Sequence, residues 1–211
     1  MNRGVATLVT AAVILAITPL LALIAAAIKL SSRGPIVFGQ ERVGLNGKRF
    51  RLHKFRTMTD GAERTGSAVT VGRDPRITSV GHVLRRLKWD ELPQLFNVLK
   101  GEMNLVGPRP ELARYVDLYP ETARNEVLSV MPGITDLASL RYIDESELLG
   151  RVADPERYYV DELIPMKLDL AVAYVRHRSM WLDVRIIAAT LTGILGWRWM
   201  PAPWSKKNPG T

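Results

Sequence analysis

The chain opens with a long, uninterrupted run of apolar residues. Residues 4–28 include no charged side chain and are mainly Ala, Val, Leu and Ile. About 20 such residues suffice for a helix to cross the hydrocarbon core of a bilayer. The run therefore predicts a membrane-inserted helix at residues 1–30 and a separate domain at residues 31–211. A cleaved signal peptide is the alternative, because Arg3 supplies a positive start and residues 25–27 are small.

Two features of this apolar run bear on its topology. Thr18 and Pro19 stand near its middle, where proline removes a backbone donor and kinks a helix. Basic residues flank both ends, with Arg3 before the run and Lys29 and Arg33 after it. The positive-inside rule favours keeping both flanks in the cytoplasm. A spanning helix with a tolerated proline and a re-entrant helix that leaves by the leaflet it entered both fit these residues.

The remaining chain alternates between short apolar stretches, turn residues and amphipathic periods. Residues 37–38 and 50–52 flank the glycines of residues 44–47, which predicts a β hairpin. Residues 60–75 are polar and contain glycine, which predicts a loop, and Pro132 with Gly133 predicts a turn. The fold class that follows is mostly α with a small β hairpin. The helices predicted from their period and end signals are 77–87, 92–99, 111–119, 145–153, 158–174 and 179–195.

Composition narrows the class of partner. The net charge of +8 implies an acidic partner, which could be nucleic acid, anionic lipid or a phosphorylated small molecule. The chain has no basic tail and no recognisable nucleic-acid motif, so lipid and phosphorylated small molecules are favoured. It also has no cysteine, which excludes disulfides and zinc–thiolate sites. The aromatic and basic residues 197–204 predict either a segment on the bilayer surface or a packed tail.

The strongest chemical signal is the carboxylate pair formed by Asp90 and Glu91 at the predicted start of a helix. Asp90 is expected to be the N-cap, where the helix dipole would keep a carboxylate ionised. Capping alone would explain the pair. Arg85 and Lys88 precede it, however, and Arg109 follows between two prolines, and arginine matches phosphate oxygens in two-point contacts. Because Mg²⁺ binds through one or two carboxylates plus substrate phosphates, these residues indicate phosphoryl transfer on a diphosphate.

Several motifs then appear in a characteristic order. They are Gln-Glu-Arg-Val-Gly at 40–44, Lys-Phe-Arg-Thr-Met at 54–58, Asp-Glu-Leu-Pro-Gln-Leu-Phe-Asn-Val-Leu-Lys-Gly at 90–101, Val-Gly-Pro-Arg-Pro at 106–110, Pro-Gly-Ile-Thr at 132–135 and Trp-Leu-Asp at 181–183. Over nearly its whole length the chain resembles the bacterial sugar transferase family, the monotopic polyprenol-phosphate phosphoglycosyl transferases. It is similar to the minimal form of the family, in which no larger membrane region precedes the catalytic part.

The resemblance implies a reaction and a site. A phosphosugar would pass from a UDP-sugar to polyprenol (undecaprenyl) phosphate with release of UMP, initiating glycoconjugate or polysaccharide assembly, for example of exopolysaccharide or lipopolysaccharide. Asp90 would be the nucleophile of a covalent aspartyl-phosphosugar intermediate, and Glu91 with Asp90 would hold Mg²⁺. The phosphate- and substrate-binding residues that the family implies are Arg85, Arg109, Lys54, Arg56 and Gln94.

The resemblance also implies a location. The apolar helix would be re-entrant and broken at Thr18 and Pro19, and interfacial amphipathic helices would hold a catalytic domain, residues 31–211, on the cytoplasmic face of the bacterial inner membrane. The chain departs from the family after Thr135: the usual arginine position holds Ile143, with Arg141 nearby. This departure leaves the donor sugar open, as are the polyprenol, the pathway and the oligomeric state.

Two other functions fit the same residues. A membrane-bound lipid-phosphate phosphatase or pyrophosphatase would use the same carboxylates and metal on a lipid phosphate. A basic membrane scaffold without enzymatic activity would use only the apolar helix and the positive charge. Release of UMP that requires both substrates separates the transferase from the first, and the activity of an Asp90→Asn variant separates it from the second.

Overall fold

The computed structural model describes residues 3–62, 71 and 74–201. These residues contain ten α-helices and four strands, joined by turns and loops. The strands are β1 Val37–Val43, β2 Arg49–Phe55, β3 Asn104–Val106 and β4 Gly133–Thr135. The helices are α1 Arg3–Ser31, α2 Ser79–Arg86, α3 Gln94–Lys100, α4 Ala113–Val116, α5 Glu121–Leu128, α6 Leu137–Arg141, α7 Glu145–Leu149, α8 Pro155–Tyr158, α9 Ile164–His177 and α10 Met180–Ile194. The mostly helical class with a β hairpin is confirmed.

The predicted hairpin is present. β1 and β2 pair antiparallel, with Val37 opposite Phe55 and Val43 opposite Arg49. Its turn contains Asn46 and Gly47 at φ 54° and 75°, the left-handed conformation that asparagine and glycine tolerate best. The Lys-Phe-Arg-Thr-Met motif begins at Lys54 and Phe55, the last two residues of β2.

A second sheet was not predicted. β3 and β4 pair parallel, with Asn104 opposite Gly133 and Val106 opposite Thr135. The prediction of a turn at Gly133 was therefore wrong. A Cβ at Gly133 would lie 2.0 Å from the backbone nitrogen of Gly107, so glycine at this position permits close approach of two backbones. Strands of three residues are too short to show an alternating pattern.

The apolar amino-terminal segment forms one helix, α1, which is long and apolar enough to cross a membrane over Gly4–Ser31. The break expected at Thr18 and Pro19 was wrong: α1 is one helix that continues through Pro19, and the Thr18 hydroxyl donates to the carbonyl of Ile14 at 2.8 Å. One stripe of α1 is buried on the rest of the protein, and the residues of this stripe are Ala6, Thr10, Ile24 and Ile28. The opposite face is exposed, and its residues include Leu8, Leu15 and Leu23. The helix thus lies along the protein over most of its length.

Several predicted helix boundaries are confirmed. Gly101, at φ 76°, ends α3 in the left-handed conformation, and Ser179 caps α10 by accepting a hydrogen bond from the backbone of Leu182 at 3.1 Å. The helices predicted at 111–119 and 145–153 are shorter than expected, and the one predicted at 158–174 is interrupted by a π turn at Tyr159–Leu163 before α9. Most of the loop predicted at 60–75, namely 63–70 and 72–73, lies outside the described residues.

Two apolar clusters support the loop that follows β3. One joins β3, α6, α9 and α10 and is centred on Val106, Leu137 and Ile186. The other joins α4, α7 and the π turn and includes Tyr115, Leu149 and Leu163. The loop that carries Arg109 therefore starts from a fixed point between packed helices.

Candidate active site

The carboxylate pair lies in a short 3₁₀ turn, Trp89–Glu91, between α2 and α3. Lys88 enters this turn in the left-handed conformation, at φ 57°. The predicted capping role of Asp90 was wrong, because α3 begins only at Gln94 and Pro93 precedes it. Proline needs no backbone hydrogen bond and its φ suits a helix start, so α3 begins there and the pair is left in its own turn.

Glu91 is held by two cations from distant parts of the sequence. Lys54, at the end of β2, donates to its Oε1 at 3.0 Å. Arg109 donates to Oε1 at 2.5 Å and to Oε2 at 3.2 Å, a two-point contact. Burial alone would raise the pKa of Glu91, but the positive charges of Arg109 and Lys54 outweigh it and hold this pKa well below its usual value. Glu91 is therefore a stable carboxylate that joins three motifs.

Asp90 has a different environment. Its exposed fraction is 8%, and its Oδ1 is buried with no hydrogen-bond partner among the described residues. Burial raises the pKa of Asp90, and the charge of Glu91 adds to this, while Lys54 and Arg85 oppose it. The expectation that a helix start would stabilise its charge was therefore wrong in direction. The side chain presents an oxygen whose bonding capacity is unused.

Arg85 approaches the pair from the last turn of α2. Its Nε donates to the Thr57 hydroxyl at 2.8 Å, and its charge acts on Asp90. α2 can come this close because Gly81 faces the strand end: a Cβ there would lie 2.0 Å from the carbonyl oxygen of Thr57. Lys54 and Thr57, two residues of one motif, thus contact Glu91 and Arg85.

Arg109 is fixed by its backbone as well as by its prolines. Its amide donates to Asp136 Oδ2 at 3.1 Å, and Asp136 Oδ1 accepts from the backbone of Ser139 at 2.6 Å at the start of α6. Asp136 was not predicted from the sequence. An aspartate directly before a short helical stretch is an N-cap signal, and it could have been found on that basis.

The two remaining predicted residues, Arg56 and Gln94, are both buried. Arg56 is buried and donates to the carbonyl and hydroxyl oxygens of Ser32 at 2.8 and 2.9 Å, at the end of α1. Gln94 is buried at the first position of α3, and its Nε2 has no hydrogen-bond partner in the described part of the chain. The structure therefore brings Lys54, Arg85 and Arg109 to the pair, whereas in the described part of the chain no hydrogen bond or ion pair joins Arg56 or Gln94 to it.

The pair can be tested for its fit to Mg²⁺. The described residues contain no group of three or more His, Asp or Glu that could enclose a metal ion. Magnesium commonly takes only one or two carboxylates and completes its shell with water and phosphate. Asp90 offers the unpartnered Oδ1, and Glu91 accepts three hydrogen bonds out of roughly four lone-pair directions. The pair fits an ion that obtains most of its ligands from a substrate diphosphate.

The region that departs from the family lies near Arg109. Arg141 is the last residue of α6, the helix that Asp136 caps. Ile143 packs towards α10, with its Cδ1 3.6 Å from the position of a Cβ on Gly193. An apolar side chain therefore fits this position, where the family resemblance had led us to expect arginine.

A family model described as bacterial sugar transferase matches residues 1–196. The chain is 43% identical over 184 residues to the undecaprenyl-phosphate glucose phosphotransferase of Komagataeibacter xylinus, a match that covers 84% of this chain and 32% of that protein. It is 38% identical over 196 residues to the UDP-N-acetylgalactosamine-undecaprenyl-phosphate N-acetylgalactosaminephosphotransferase of Aeromonas hydrophila, covering 92% and 43%. It is also 38% identical over 200 residues to the UDP-glucose:undecaprenyl-phosphate glucose-1-phosphate transferase of Caulobacter vibrioides, covering 92% and 70%. The chain thus spans less than half of the first two relatives and most of the third.

Proposed function

The chain belongs to the bacterial sugar transferase family, and from this membership we propose that it transfers a phosphosugar from a UDP-sugar to polyprenol (undecaprenyl) phosphate and releases UMP. The observation that carries the proposal is the contrast within the carboxylate pair. Asp90 has an unpartnered oxygen, and Glu91 beside it is neutralised by Lys54 and Arg109. A reactive carboxylate beside anchored cations suits attack on a diphosphate.

In the first half of the reaction, an Asp90 carboxylate oxygen attacks the phosphorus that carries the sugar. A new P–O bond forms to Asp90 while the bond from this phosphorus to the bridging oxygen breaks, and UMP leaves with that electron pair. The product is an acyl phosphate that joins Asp90 to the sugar 1-phosphate. Burial helps this step, because a poorly solvated carboxylate is a stronger nucleophile than a hydrated one.

In the second half, an oxygen of polyprenol phosphate attacks the same phosphorus. The P–O bond to Asp90 breaks, its electron pair returns to the carboxylate, and the product is a polyprenol diphosphosugar. Two transfers at one phosphorus predict ping-pong kinetics. The initiating step of glycoconjugate or polysaccharide assembly is a reaction of this class.

The cations around the pair have complementary roles in this proposal. Arg109 and Arg85 hold phosphate oxygens and offset the charge that develops on the transferring group. Lys54 keeps Glu91 ionised. Arg56 and Gln94 have buried nitrogens without hydrogen-bond partners among the described residues, and these would be further donors to the substrate. Mg²⁺, held by the pair, would supply a Lewis acid for the diphosphate oxygens. Glu91 orients this end of the site through its contacts with Lys54 and Arg109.

The membrane placement is part of the proposal, with α1 re-entering the cytoplasmic leaflet of the bacterial inner membrane. Ala6 packs with Leu52 and Met103, whereas Ile28 packs with Phe55 and Leu84. These two ends of α1 are about 33 Å apart at 1.5 Å per residue. A helix that crossed the bilayer would carry one end away from the domain, so the two contacts favour a helix that stays on one side.

α10 supports an interfacial position for the catalytic domain. Its outward stripe is apolar: Trp181, Val184 and Leu191 are exposed on it, and so is Leu195 directly after the helix. The opposite stripe, which includes Leu182 and Ile186, is buried in the core. Tryptophan favours the boundary between lipid and water, so we assign this face of α10 to the membrane surface.

UMP release by the full chain in lipid nanodiscs tests the proposed reaction. UDP-glucose and UDP-N-acetylgalactosamine, the donors named for relatives, are each supplied with and without polyprenol phosphate. We expect sustained UMP release only when a donor and the acceptor are both present, and none from Asp90→Asn. Asp117→Asn, which alters an exposed aspartate, should retain wild-type rates. Phosphate release from polyprenol phosphate without a donor would identify a phosphatase instead.

A further inference from the structure

The segment of residues 107–111, here the Arg109 segment, is anchored on both sides. On its amino side, the Gly107 amide donates to the carbonyl of Thr135 at 3.2 Å. On its carboxyl side, the Val43 amide of β1 donates to the carbonyl of Glu111 at 2.9 Å. The guanidinium of Arg109 projects from this segment to Glu91. The position of that guanidinium therefore depends on how firmly the two anchors hold.

The carboxyl-side anchor is a buried cluster around the Glu111 carboxylate, here the Glu111 cluster of Arg42, Glu111, Tyr159 and Lys167. Arg42 donates to Oε2 at 3.0 Å, and the Tyr159 hydroxyl donates to Oε1 at 2.7 Å. Lys167 Nζ lies 3.7 Å from Oε1. Arg42 also donates to the carbonyl of Pro110 at 3.3 Å, so the cluster binds the backbone directly next to Arg109.

Charge holds this cluster together. Burial alone would raise the pKa of Glu111, but Lys167 and Arg42 outweigh it and lower this pKa. Lys167 shows the converse, because Glu111 and Glu145 outweigh the effect of burial and raise its pKa. Glu111 and Lys167 therefore form a charged pair near neutral pH, and burial raises the pKa of Tyr159, so its hydroxyl keeps the proton that it donates. Removal of one charge would leave its partners buried and uncompensated, which is strongly unfavourable.

Apolar packing around the segment is incomplete. Two small cavities of about 20 Å³ each are both lined by Arg109 and Glu111, and each is large enough for about one water molecule. Side chains of a fully packed core would hold the segment by contact alone. The polar anchors therefore add to the packing that holds the segment.

We propose that Glu111 is a positioning residue for Arg109 and sets the donor diphosphate contact through the Arg109 segment. Glu111 contacts Arg42, Tyr159 and Lys167, and it reaches the site through the backbone of Pro110 and Arg109. This inference rests on the proposed role of Arg109 in holding phosphate. It adds Glu111 to the residues that the proposed reaction requires.

The test is a double-mutant cycle between Glu111→Gln and Arg109→Gln on the full chain in nanodiscs. The measurement is the Kd of UDP in the presence of Mg²⁺ by titration calorimetry, which does not depend on the sugar. Each single variant should raise this Kd about tenfold. In the Arg109→Gln background, Glu111→Gln should raise the Kd further by less than about twofold, because both changes remove the same contact.

Glu145→Gln is the matched control, because Glu145 contacts the same Lys167 at 3.0 Å but is more exposed and lies outside the Arg109 segment. It should bind UDP like the wild type. Tyr159→Phe removes the hydroxyl that donates to Glu111 and accepts from Lys167 but leaves the Glu111 carboxylate in place. It keeps the test valid if Glu111→Gln fails to fold, and it should raise the Kd about threefold, again only when Arg109 is present.

The outcomes separate the two claims. Weakened binding in Arg109→Gln with none in Glu111→Gln and Tyr159→Phe would overturn the positioning role alone. An equal loss from Glu111→Gln with and without Arg109 would also overturn it, because the effect would then bypass Arg109. Wild-type UDP binding by Arg109→Gln would contradict the proposed phosphate contact itself.

Discussion

At the scale of single residues, Asp90 and Glu91 are adjacent in sequence but opposite in electrostatic environment. Glu91 is paired with two cations, whereas Asp90 Oδ1 is buried without a partner among the described residues. We predict that Asp90→Asn abolishes activity but increases the free energy of unfolding by about 1 kcal/mol, as removal of an unfavourable functional group often does. The measurement is the thermal unfolding midpoint in detergent, which should rise by about 2–4 °C.

Glu91→Gln should act in the opposite direction on stability. Lys54 and Arg109 would lose their counter-charge, and we expect a loss of about 2 kcal/mol. The lowered pKa of Glu91 means that its ion pairs stabilise the fold above the usual carboxyl range and that this stability is lost as the pH falls. Equal midpoints for the two variants would contradict the contrast within the carboxylate pair.

The same contrast predicts a pH dependence. Burial and Glu91 raise the pKa of Asp90, and the nucleophile must be ionised to react, so the acid limb of kcat/KM should lie above that of an ordinary aspartate. Arg85 favours the ionised form. Arg85→Gln should therefore move the acid limb to still higher pH, and the pH profile of the initial rate measures this.

Arg86→Gln provides the control for this prediction, because Arg86 is the adjacent arginine on α2 and is exposed. Its acid limb should coincide with that of the wild type. An acid limb that does not move in Arg85→Gln would show that Asp90 is not the group that titrates in the profile.

At the scale of elements, the site depends on the attachment of α3 to β2. Asn97 is fully buried; its Oδ1 accepts from the His53 amide at 3.1 Å and its Nδ2 donates to the carbonyl of Arg51 at 2.8 Å. This side chain pairs with the edge of β2 as a neighbouring strand would. It therefore fixes the helix that follows the carboxylate pair against the strand that carries Lys54.

Asn97→Ala should lower the free energy of unfolding by about 2 kcal/mol, because two partly buried backbone groups would lose their partner. Thermal unfolding measures the change. Lys100→Ala, on the exposed side of the same helix, should change stability by less than about 0.5 kcal/mol. Similar midpoints for the two variants would mean that α3 is held by apolar packing alone.

Sequence patterns predicted the elements whose signals are local. The hairpin had turn glycines, α3 had Gly101 at its end and α10 had Ser179 at its start. Elements that form only through contacts with residues distant in sequence were not predicted. β3 and β4 each have three residues and form only by pairing with each other.

The candidate site was predictable to a similar extent. The motifs identified Lys54, Glu91 and Arg109 as candidates, and these three residues do meet in one ion-pair network. Their order in the sequence carries no information on the partners of Asp136 or Glu111, whose roles arise from tertiary contacts. The raised pKa of Asp90 was also missed, because burial at a turn cannot be read from a helix-capping pattern.

At the scale of the whole molecule, the buried stripe along α1 connects membrane placement to the site. Phe55 packs against Ile24 and Ile28, and the next residue, Arg56, binds Ser32 at the end of α1. The end of β2 that carries Lys54 therefore also forms part of the surface on which α1 packs. Displacement of α1 from this surface would disturb Lys54, one of the two cations that neutralise Glu91.

The re-entrant topology predicts that both ends of α1 are reached from the cytoplasmic side. Because the chain has no cysteine, single substitutions Asn2→Cys and Glu121→Cys can be labelled separately in inverted inner-membrane vesicles with an impermeant maleimide. Both should react in intact vesicles. Labelling of Glu121→Cys alone, with Asn2→Cys reacting only after the vesicles are lysed, would establish a spanning helix instead.

The most direct test of the covalent mechanism is the intact mass of the protein after incubation with a UDP-sugar and Mg²⁺ in the absence of acceptor. We expect one phosphosugar adduct per chain, located on Asp90, absent in Asp90→Asn and lost when polyprenol phosphate is added. UMP formed by a protein that never carries the adduct, or an adduct of equal yield on Asp90→Asn, would contradict it.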